Sequence, residues 1–460
     1  MEAIAETPTP THVSAGQLTS LIQQAPAGPW GQEFEARRAS RLALEPEALG
    51  QTRDRAFAHF SATGFPTLKQ EAWRFTNVRP VVEAAFPLAE EVSAGVELVD
   101  PHRYSGTSPL VFVDGYFSPQ LSMPPALPDG VILAPISSAL ETHPELVLPH
   151  LAQHAATAEA PFAALNTALG GDGLFLYVPK GQVVEPTLHL LYLSVTAQCS
   201  TYPRTLIVLE DSAQACVIEH YASSHEDAYF TCPVTEMVLG ANATLDHYKV
   251  QRESLAAFHV ANQASRQGRD SVLRSHSISV GGALVRNDLG AYLGGTGVSS
   301  TLNGLYLGEG TQHIDNQMRV DHAEPHGYSH ELYKGVLDER SRAVFNGLIH
   351  VHPGAQKTDA VQSNQNLLVS HGALANSNPQ LEIFADDVRC THGSTVGQLD
   401  PEAIYYLRTR GIGELAARSL LTYAFASDIV SRVRVDSLRN ELEEMLFNRL
   451  PKGEIVRQAV

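Results

Sequence analysis

Three consecutive stretches in the middle of the chain decide the fold. They read "ALVRNDLGAYLGG" (283–295), "STLNGLYLGEG" (300–310) and "HIDNQMRVDH" (313–322). Apolar and polar residues alternate along each of them, which is typical of a β-strand with one buried and one wetted face. Turn residues recur every ten or so positions, as expected for short strands joined by tight connections.

The same texture extends from "GLFLYVPKG" (173–181) to "LEIFADDVRC" (381–390), more than 200 residues without a long helical segment. This absence argues against alternating βαβ units. The segments are irregular in sequence but steady in spacing, as expected when each rung of a stacked coil contacts only its neighbours. We therefore predict a mainly β protein built on a parallel β-helix, a β-solenoid. A β-sandwich or barrel is the competing interpretation.

Helical patterns flank this core on both sides. Before it, "SAGQLTSLIQQ" (14–24) and "DRAFAHF" (54–60) place apolar residues on one helix face, whereas "PLVFVDGYFS" (109–118) indicates strand, turn and strand. The predicted division has three parts. They are a mostly helical N-terminal region (1–170), the β-helix core (171–399) and a C-terminal helical region (400–460).

The C-terminal region begins with a helix start signal, because Asp400 can cap a helix whose first residue is Pro401. Further on, "LRNELEEMLFNRL" (438–450) carries one apolar stripe down a helix. Such a stripe packs either on the chain's own core or on a partner. Its place near the chain end favours docking, so the predicted partner-docking residues are Leu438, Leu442, Met445 and Leu446.

Charge and composition limit the classes of function. The chain has 460 residues, a net charge of −18 and a pI near 5.5, which disfavours general affinity for nucleic acid or anionic membrane. The N-terminus has neither a basic nor an apolar signal region, and no apolar stretch is long enough to span a bilayer. These features predict a cytoplasmic protein.

The four cysteines stand at positions 199, 216, 232 and 390, and none forms a CxxC pair. A disulfide framework or a self-contained zinc site is therefore not expected, in keeping with a reducing compartment. Cys199, Cys216 and Cys232 are interpreted as core residues.

Cys390 differs because His392 follows it in "DDVRCTHGSTVG" (386–397). Residues i and i+2 of a strand point to the same face, so a thiolate and an imidazole could meet one metal ion or iron–sulfur species. Two ligands do not complete a tetrahedral site. The remainder must come from elsewhere in this chain or from another chain, unless Cys390 is simply a buried thiol.

Other candidate sites carry weaker signals. His322, His326 and His330 are spaced by four, but Pro325 and Gly327 interrupt any helix there. His350 and His352 share a strand face and could bind metal, although such a pair more often caps a sheet edge. "GGTGVSS" (294–300) lacks the ending of a phosphate-binding loop, and the adjacent acids Asp386 and Asp387 would face opposite ways in a strand. We expect no self-sufficient enzyme.

Several long stretches give the chain a specific resemblance. They are "EAWRFTNV" (71–78), "LNTALGGDGLFLYVPKG" (165–181), "GGALVRNDL" (281–289), "LNGLYL" (302–307), "YKGVLDERSRAVFNGLIHV" (333–351), "AQKTDAVQSNQNLLVS" (355–370), "NPQLEIFADDVRCTHGSTVGQLD" (378–400) and "YYLRTRGI" (405–412). From about residue 70 to 435 the chain resembles the SufB/SufD family of iron–sulfur cluster assembly scaffolds. The Cys-x-His form at 390–392, without a cysteine-rich N-terminal motif, resembles the SufD branch.

The resemblance implies a right-handed parallel β-helix between two helical regions and a non-catalytic scaffold in the SUF complex. It also implies a SufB-like partner that pairs through the β-helix, and a SufC-like ATPase that docks on the C-terminal helical region and hydrolyses ATP. A nascent iron–sulfur cluster would be shared between the SufB-like chain and His392, with Cys390 as a further candidate. A reduced flavin in the whole complex is also expected from the resemblance.

Two other interpretations stay open at this point. One is a carbohydrate-acting β-helix protein, which would need paired carboxylates or a basic residue in an open groove and is usually secreted. The other is a homodimeric β-helix scaffold without cluster chemistry, since exposed strand edges pair readily.

Overall fold

The computed structural model describes residues 28–41, 45–155 and 160–459. It is mainly β, with a β-solenoid of about eight turns and helices towards both ends, which confirms the predicted fold class. The helix predicted at 14–24 lies outside the described residues. In the part of the chain that is described, no helix is long and apolar enough to cross a membrane.

The described α-helices come before residue 170 or after residue 400. They are α1 (Pro29–Arg41), α2 (Glu47–Thr63), α3 (Arg79–Ala84), α4 (Val96–Val99), α5 (Ile136–Thr142), α6 (Pro144–Val147), α7 (Pro161–Leu169), α8 (Pro401–Thr409), α9 (Glu414–Val430), α10 (Asp436–Arg449) and α11 (Gly453–Ala459). Short 3₁₀ turns occur at Glu71–Trp73 and Asp100–His102.

The strands follow one another with short connections. They are β1 (Ser108–Val113), β2 (Tyr116–Phe117), β3 (Ile132–Pro135), β4 (Gly173–Val178), β5 (Leu188–Ser194), β6 (Ser200–Thr201), β7 (Arg204–Leu209), β8 (Gln214–Ser223), β9 (Phe230–Thr231), β10 (Val234–Leu239), β11 (Thr244–Arg252), β12 (Phe258–Gln267), β13 (Val272–Ser279), β14 (Leu284–Leu293), β15 (Ser299–Gly308), β16 (His313–His322), β17 (Tyr328–Leu337), β18 (Arg342–Val351), β19 (Asp359–Leu368), β20 (Leu374–Ile383) and β21 (Arg389–Gly397).

Two sheets form the walls of the solenoid. Sheet 1 has the order β2-β1-β5-β8-β11-β13-β15-β17-β19-β21. Sheet 2 has the order β20-β18-β16-β14-β12-β10-β7-β4-β3, with β9 beside β12 and β6 beside β9. From β10 onward the chain alternates between the sheets, so every strand pairs in parallel with the strand two places later. Tyr292, Asp321 and His350 are in register on three successive strands of sheet 2, which makes one turn 29 residues there.

The core lies between the sheets because alternate residues of each strand point inward. Along β18, for example, Ala343, Phe345 and Ile349 are buried, whereas His350 lies on the outer face and is only half-buried. Stacking successive turns brings Ala343 and Phe345 into a large apolar cluster with inward residues of other strands, whereas Ile349 belongs to a second, smaller cluster. The alternation predicted from sequence is confirmed in strands such as β18 and β19, whereas β5 and β7 are buried on both faces.

The N-terminal region packs on sheet 2 and also contributes strands. The aromatic cluster of Phe34, Phe57 and Trp73 meets Phe162 of α7 and Phe230 of β9. The predicted helix at 54–60 lies within α2. The predicted strand–turn–strand at 109–118 is β1 and β2, which pair in antiparallel fashion.

Strands β1 to β3 lie before residue 171. They extend both sheets into the part that was predicted to be mostly helical.

Arg286 of β14 fastens the N-terminal region to the solenoid. Its guanidinium lies 3.6 Å from the centre of the Trp73 ring and donates a 2.7 Å hydrogen bond to the carbonyl of Ala72. It also pairs with Asp288 and with the buried Asp315, and Asp315 accepts a 2.6 Å hydrogen bond from the Thr76 hydroxyl.

The C-terminal helices pack on sheet 1, which corrects one prediction. Leu438, Leu442, Met445 and Leu446 of α10 are 0 to 8 % exposed, in a cluster with side chains of sheet 1 such as Ile278. They therefore do not form a partner-docking face. The predicted apolar stripe is present on α10, and it packs against apolar side chains on the outer face of sheet 1.

Candidate metal centre at the end of the solenoid

The last strand of sheet 1, β21, has a neighbour on one side only. It pairs in parallel with β19 over residues 389–397, and in the described chain no strand follows it in the sheet. Its other edge therefore presents unpaired backbone groups, which are a template for pairing with another chain. Both Cys390 and His392 lie on this strand, so the predicted shared strand and shared face are present.

His392 lies on the same side of the strand as the buried Gln362 of β19, its register partner. Unlike Gln362, His392 is exposed, because no further turn covers it. Among the described residues, its imidazole has no hydrogen-bond or ion-pair partner. The ring is thus positioned by backbone pairing while its nitrogens are available to an incoming group.

Cys390 is in a different environment. It is half-buried and packs against a small apolar cluster that includes Ile349, Val351 and Ala360. Burial and the nearby carboxylate of Asp359 raise the pKa of the thiol. A thiolate is the form that binds metal, so this environment makes Cys390 a weaker candidate ligand than His392.

A buried acid, Glu331, lies two strands further inside sheet 1 than His392, on β17. Gln362 Nε2 donates a 2.5 Å hydrogen bond to Glu331 Oε2, and Glu331 is the register partner of Gln362 on β17. Burial raises the pKa of Glu331 to about 8. Glu331, Gln362 and His392 therefore form one inward-facing ladder over three turns. Sequence reasoning missed the first two, although their spacing of about one turn was a readable signal.

The spaced histidines His322, His326 and His330 do not form a metal site in the structure. His322 is buried at the end of β16, His326 lies in a turn with a φ of +61°, and His330 lies on β17, so they share no helix face. Within the described residues, no group of three metal-ligating side chains includes Cys390 or His392.

The remaining cysteines are free thiols with a structural environment. Cys199 and Cys232 are buried, and Cys216 is half-buried against the C-terminal helices. Burial raises the pKa of both Cys199 and Cys216 to about 12. The interpretation of these residues as packing residues is confirmed for Cys199 and Cys232.

Comparison with known proteins supplies the family. The model described as "SUF system FeS cluster assembly, SufBD core domain" matches residues 192–425, and the model of the SufBD protein N-terminal region matches residues 31–190. The chain belongs to the SufBD family. The two matches together cover the solenoid and most of the N-terminal region.

Individual relatives agree with the family match. An iron–sulfur cluster assembly SufBD family protein of Synechocystis is 32 % identical over 84 % of this chain and 87 % of its own. The iron–sulfur cluster assembly protein SufD of Escherichia coli is 31 % identical over 92 % of this chain and 96 % of its own. SufD of Bacillus subtilis is 28 % identical over 82 % of this chain and 88 % of its own.

Two exposed apolar surfaces stand out on this SufBD chain. The first, at the end of the solenoid, comprises Ile383, Phe384 and Val396, of which Phe384 is 59 % exposed. The second comprises Tyr405 and Tyr406 of α8 and Leu415 of α9, and Tyr405 is 69 % exposed. We call them the end surface and the helical surface. These side chains are large, apolar and exposed, and we treat them as candidate contact positions.

Proposed function

We propose that the chain is a SufD-like scaffold subunit of a SUF iron–sulfur cluster assembly complex in the cytoplasm. In this proposal a SufB-like chain binds the end surface and the open edge of β21. A nascent cluster is then held between His392 and ligands of the SufB-like chain. The observation that carries the proposal is the exposed imidazole of His392, which has no partner among the described residues and lies on a strand whose second edge no described strand covers.

The division of roles follows from the site. His392 supplies a single nitrogen ligand on a rigid strand, and a cluster needs several ligands, so one or more must come from the partner. Cys390 stays a secondary candidate because its thiol is half-buried and its pKa is raised. The cluster is cargo that is built and passed on, and this chain contributes position and one ligand without catalysing a reaction.

We propose that a SufC-like ATPase docks on the helical surface. The buried stripe of α10 is not available to it, whereas Tyr405, Tyr406 and Leu415 are exposed on the same C-terminal region. Helices α9 and α10 pack on sheet 1, and β21 is the last strand of that sheet. A movement of the ATPase would therefore act on the sheet that carries His392.

Nucleotide binding can shift this arrangement only if the ATPase binds one state of the complex more tightly than the other. We propose that the ATP-bound form favours an open junction into which iron and sulfide enter. The flavin stays a prediction for the whole complex, and no step of the proposal depends on it.

Replacing the imidazole tests the ligand role. His392→Ala, reconstituted with a SufB-like chain and a SufC-like ATPase under anaerobic conditions, should form the complex but lose most of its bound iron and sulfide. His371→Ala, which removes another exposed histidine, is the matched control and should leave both contents unchanged. Unchanged iron and sulfide in the His392→Ala complex would refute the ligand role.

A homodimeric scaffold is the second candidate, favoured by the same open edge and exposed end surface. It predicts a stable dimer of the isolated chain that a SufB-like chain does not displace. Analytical ultracentrifugation of the chain alone and after addition of the SufB-like chain distinguishes the two. The family match leaves the carbohydrate-acting alternative without support.

A further inference from the structure

A second group of metal-ligating side chains lies on the outer face of sheet 2. One ligand atom from each of Asp321, His350 and His352 lies within 4.8 Å of the others. Within the described chain, they form the one such group of three. Their strands belong to sheet 2, whereas His392 lies on sheet 1, so this group is separate from the candidate centre described above.

Strand register explains why the group forms. Asp321 of β16, His350 of β18 and Glu382 of β20 are direct partners on neighbouring parallel strands. Paired residues of adjacent strands are about 5 Å apart and point to the same face. His352 follows the end of β18, and its ring centre lies 4.5 Å from that of His350.

His352 has an unsatisfied nitrogen directed into the group. Its Nε2 atom is buried and has no hydrogen-bond partner among the described residues, and it lies 3.7 Å from Asp321 Oδ1. A buried imidazole nitrogen is stabilised by a partner, and this one faces the Asp321 carboxylate. A metal ion between the imidazole and the carboxylate would supply that partner.

Surrounding groups orient the candidate ligands. Arg319 donates to both oxygens of Asp321, at 2.8 Å and 2.9 Å, which holds the carboxylate in place. Glu382 Oε2 lies 2.9 Å from His350 Nδ1 and can accept a hydrogen bond from Nδ1–H, which leaves Nε2 with a lone pair for a metal. Carboxylates that hold the second nitrogen of a ligating histidine are a regular feature of metal sites.

We propose that Asp321, His350 and His352 bind one divalent first-row transition-metal ion, oriented by Arg319 and Glu382. Two imidazoles and a carboxylate suit Zn²⁺ or Fe²⁺ and do not suit Mg²⁺, which requires mostly oxygen ligands. Ligands about 2.1 Å from one ion lie roughly 3.4 Å apart, so small side-chain rotations close the present group. The bound ion links neighbouring turns of the solenoid.

Zinc titration of the full-length His392→Ala chain tests the proposal, because that background removes the contribution of the candidate centre on β21. We expect one equivalent of Zn²⁺ to bind and to raise the thermal unfolding temperature, with no such effect from Mg²⁺. Adding His350→Ala or His352→Ala to this background should weaken zinc binding at least 100-fold. Adding the exposed control His371→Ala should not change it.

Unfolding temperatures without metal confirm that each variant is folded. Glu382→Gln keeps the side-chain shape and should weaken zinc binding by about 10- to 100-fold, as expected for a group that orients a ligand. Absence of zinc binding to the His392→Ala chain overturns the proposal, and so does equal binding after His350→Ala or His352→Ala. Neither result depends on the partner chains, so the outcome is independent of the proposed assembly role.

Discussion

At the scale of single residues, Glu331 shows that the interior below His392 favours an uncharged acid. Its carboxyl is fully buried, and Gln362 is the one hydrogen-bond donor to it among the described residues. Burial raises its pKa from 4.5 to about 8, so the folded protein keeps a proton that the unfolded chain releases. Within the described structure, Gln362 Oε1 is a buried acceptor without a partner, in keeping with a protonated Glu331 beside it.

This pKa predicts a pH dependence of stability. The contribution of Glu331 to the free energy of unfolding is full below about pH 4.5, where the carboxyl is protonated in both the folded and the unfolded state. This contribution is lost as the pH rises to about 8. Over this window it lowers the free energy of unfolding by up to about 1.4 kcal/mol per pH unit. Glu331→Gln cannot ionise, so its stability should fall less steeply.

Urea unfolding of both proteins between about pH 5 and 8 measures the difference. Glu97→Gln, at an exposed position, is the control and should follow the original chain. Because other buried groups titrate in the same range, only the difference between the curves reports on Glu331. Parallel curves for Glu331→Gln and the original chain would contradict the assignment of a neutral Glu331.

The sequence predicted the candidate site in part. The spacing of Cys390 and His392 correctly indicated two side chains on one strand face. It could not show that Cys390 packs against Ile349 and Val351, since these residues come from β18, one turn earlier along the chain. Likewise, Asp321 could be joined to His350 only through the 29-residue turn, which alternation within a strand does not reveal.

At the scale of elements, two of the sequence stretches that resemble the SufB/SufD family contact each other in the folded chain. Trp73 and Thr76 belong to "EAWRFTNV", and Arg286 and Asp288 belong to "GGALVRNDL", more than 200 positions later. Stacking of Arg286 on Trp73 and its pairing with Asp315 fix the N-terminal region on sheet 2. Nothing in either stretch alone indicates this contact.

Removal of the Arg286 guanidinium should destabilise the folded chain. Arg286→Ala leaves Asp315 buried without its cation, which should lower the free energy of unfolding by about 3–5 kcal/mol in denaturant melts. The exposed pair of Arg269 and Asp270 is the control, and Arg269→Ala should change it by less than about 1 kcal/mol. Equal changes in the free energy of unfolding for the two substitutions would show that Arg286 does not stabilise the packing of the N-terminal region on sheet 2.

Substitutions in the C-terminal helices distinguish residues that pack on sheet 1 from residues that we propose to bind the ATPase. Leu442→Ala removes a buried side chain between α10 and sheet 1 and should lower the free energy of unfolding by about 2–5 kcal/mol. Tyr405→Ala alters an exposed side chain and should change it by no more than about 0.5 kcal/mol. Only Tyr405→Ala should reduce recovery of the SufC-like ATPase in a pull-down while the chain stays fully folded.

If the ATPase is recovered equally with Tyr405→Ala, the helical surface is not its docking site. The sequence could not decide between the two roles, because an apolar stripe has the same pattern whether it covers the chain's own sheet or a partner. Burial of Leu438 and Leu442 depends on the outer face of sheet 1, which is built by strands far away in the sequence.

At the scale of the whole molecule, the solenoid was predictable because its turns repeat a simple rule. Alternating strands at regular spacing, without intervening helices, leave few ways to bury one face of each strand. The division of the strands between two sheets and their 29-residue register needed the structure. The same repetition leaves the last turn uncovered, and this is where His392 lies.

We propose that another chain completes the site at this uncovered end. Hydrogen exchange of the β21 amides, residues 389–397, tests it most directly when the isolated chain is compared with its complex with a SufB-like protein. We expect markedly slower exchange along β21 in the complex, with no change at the opposite edge strand β2. Equally fast exchange of the β21 amides in both samples would contradict it.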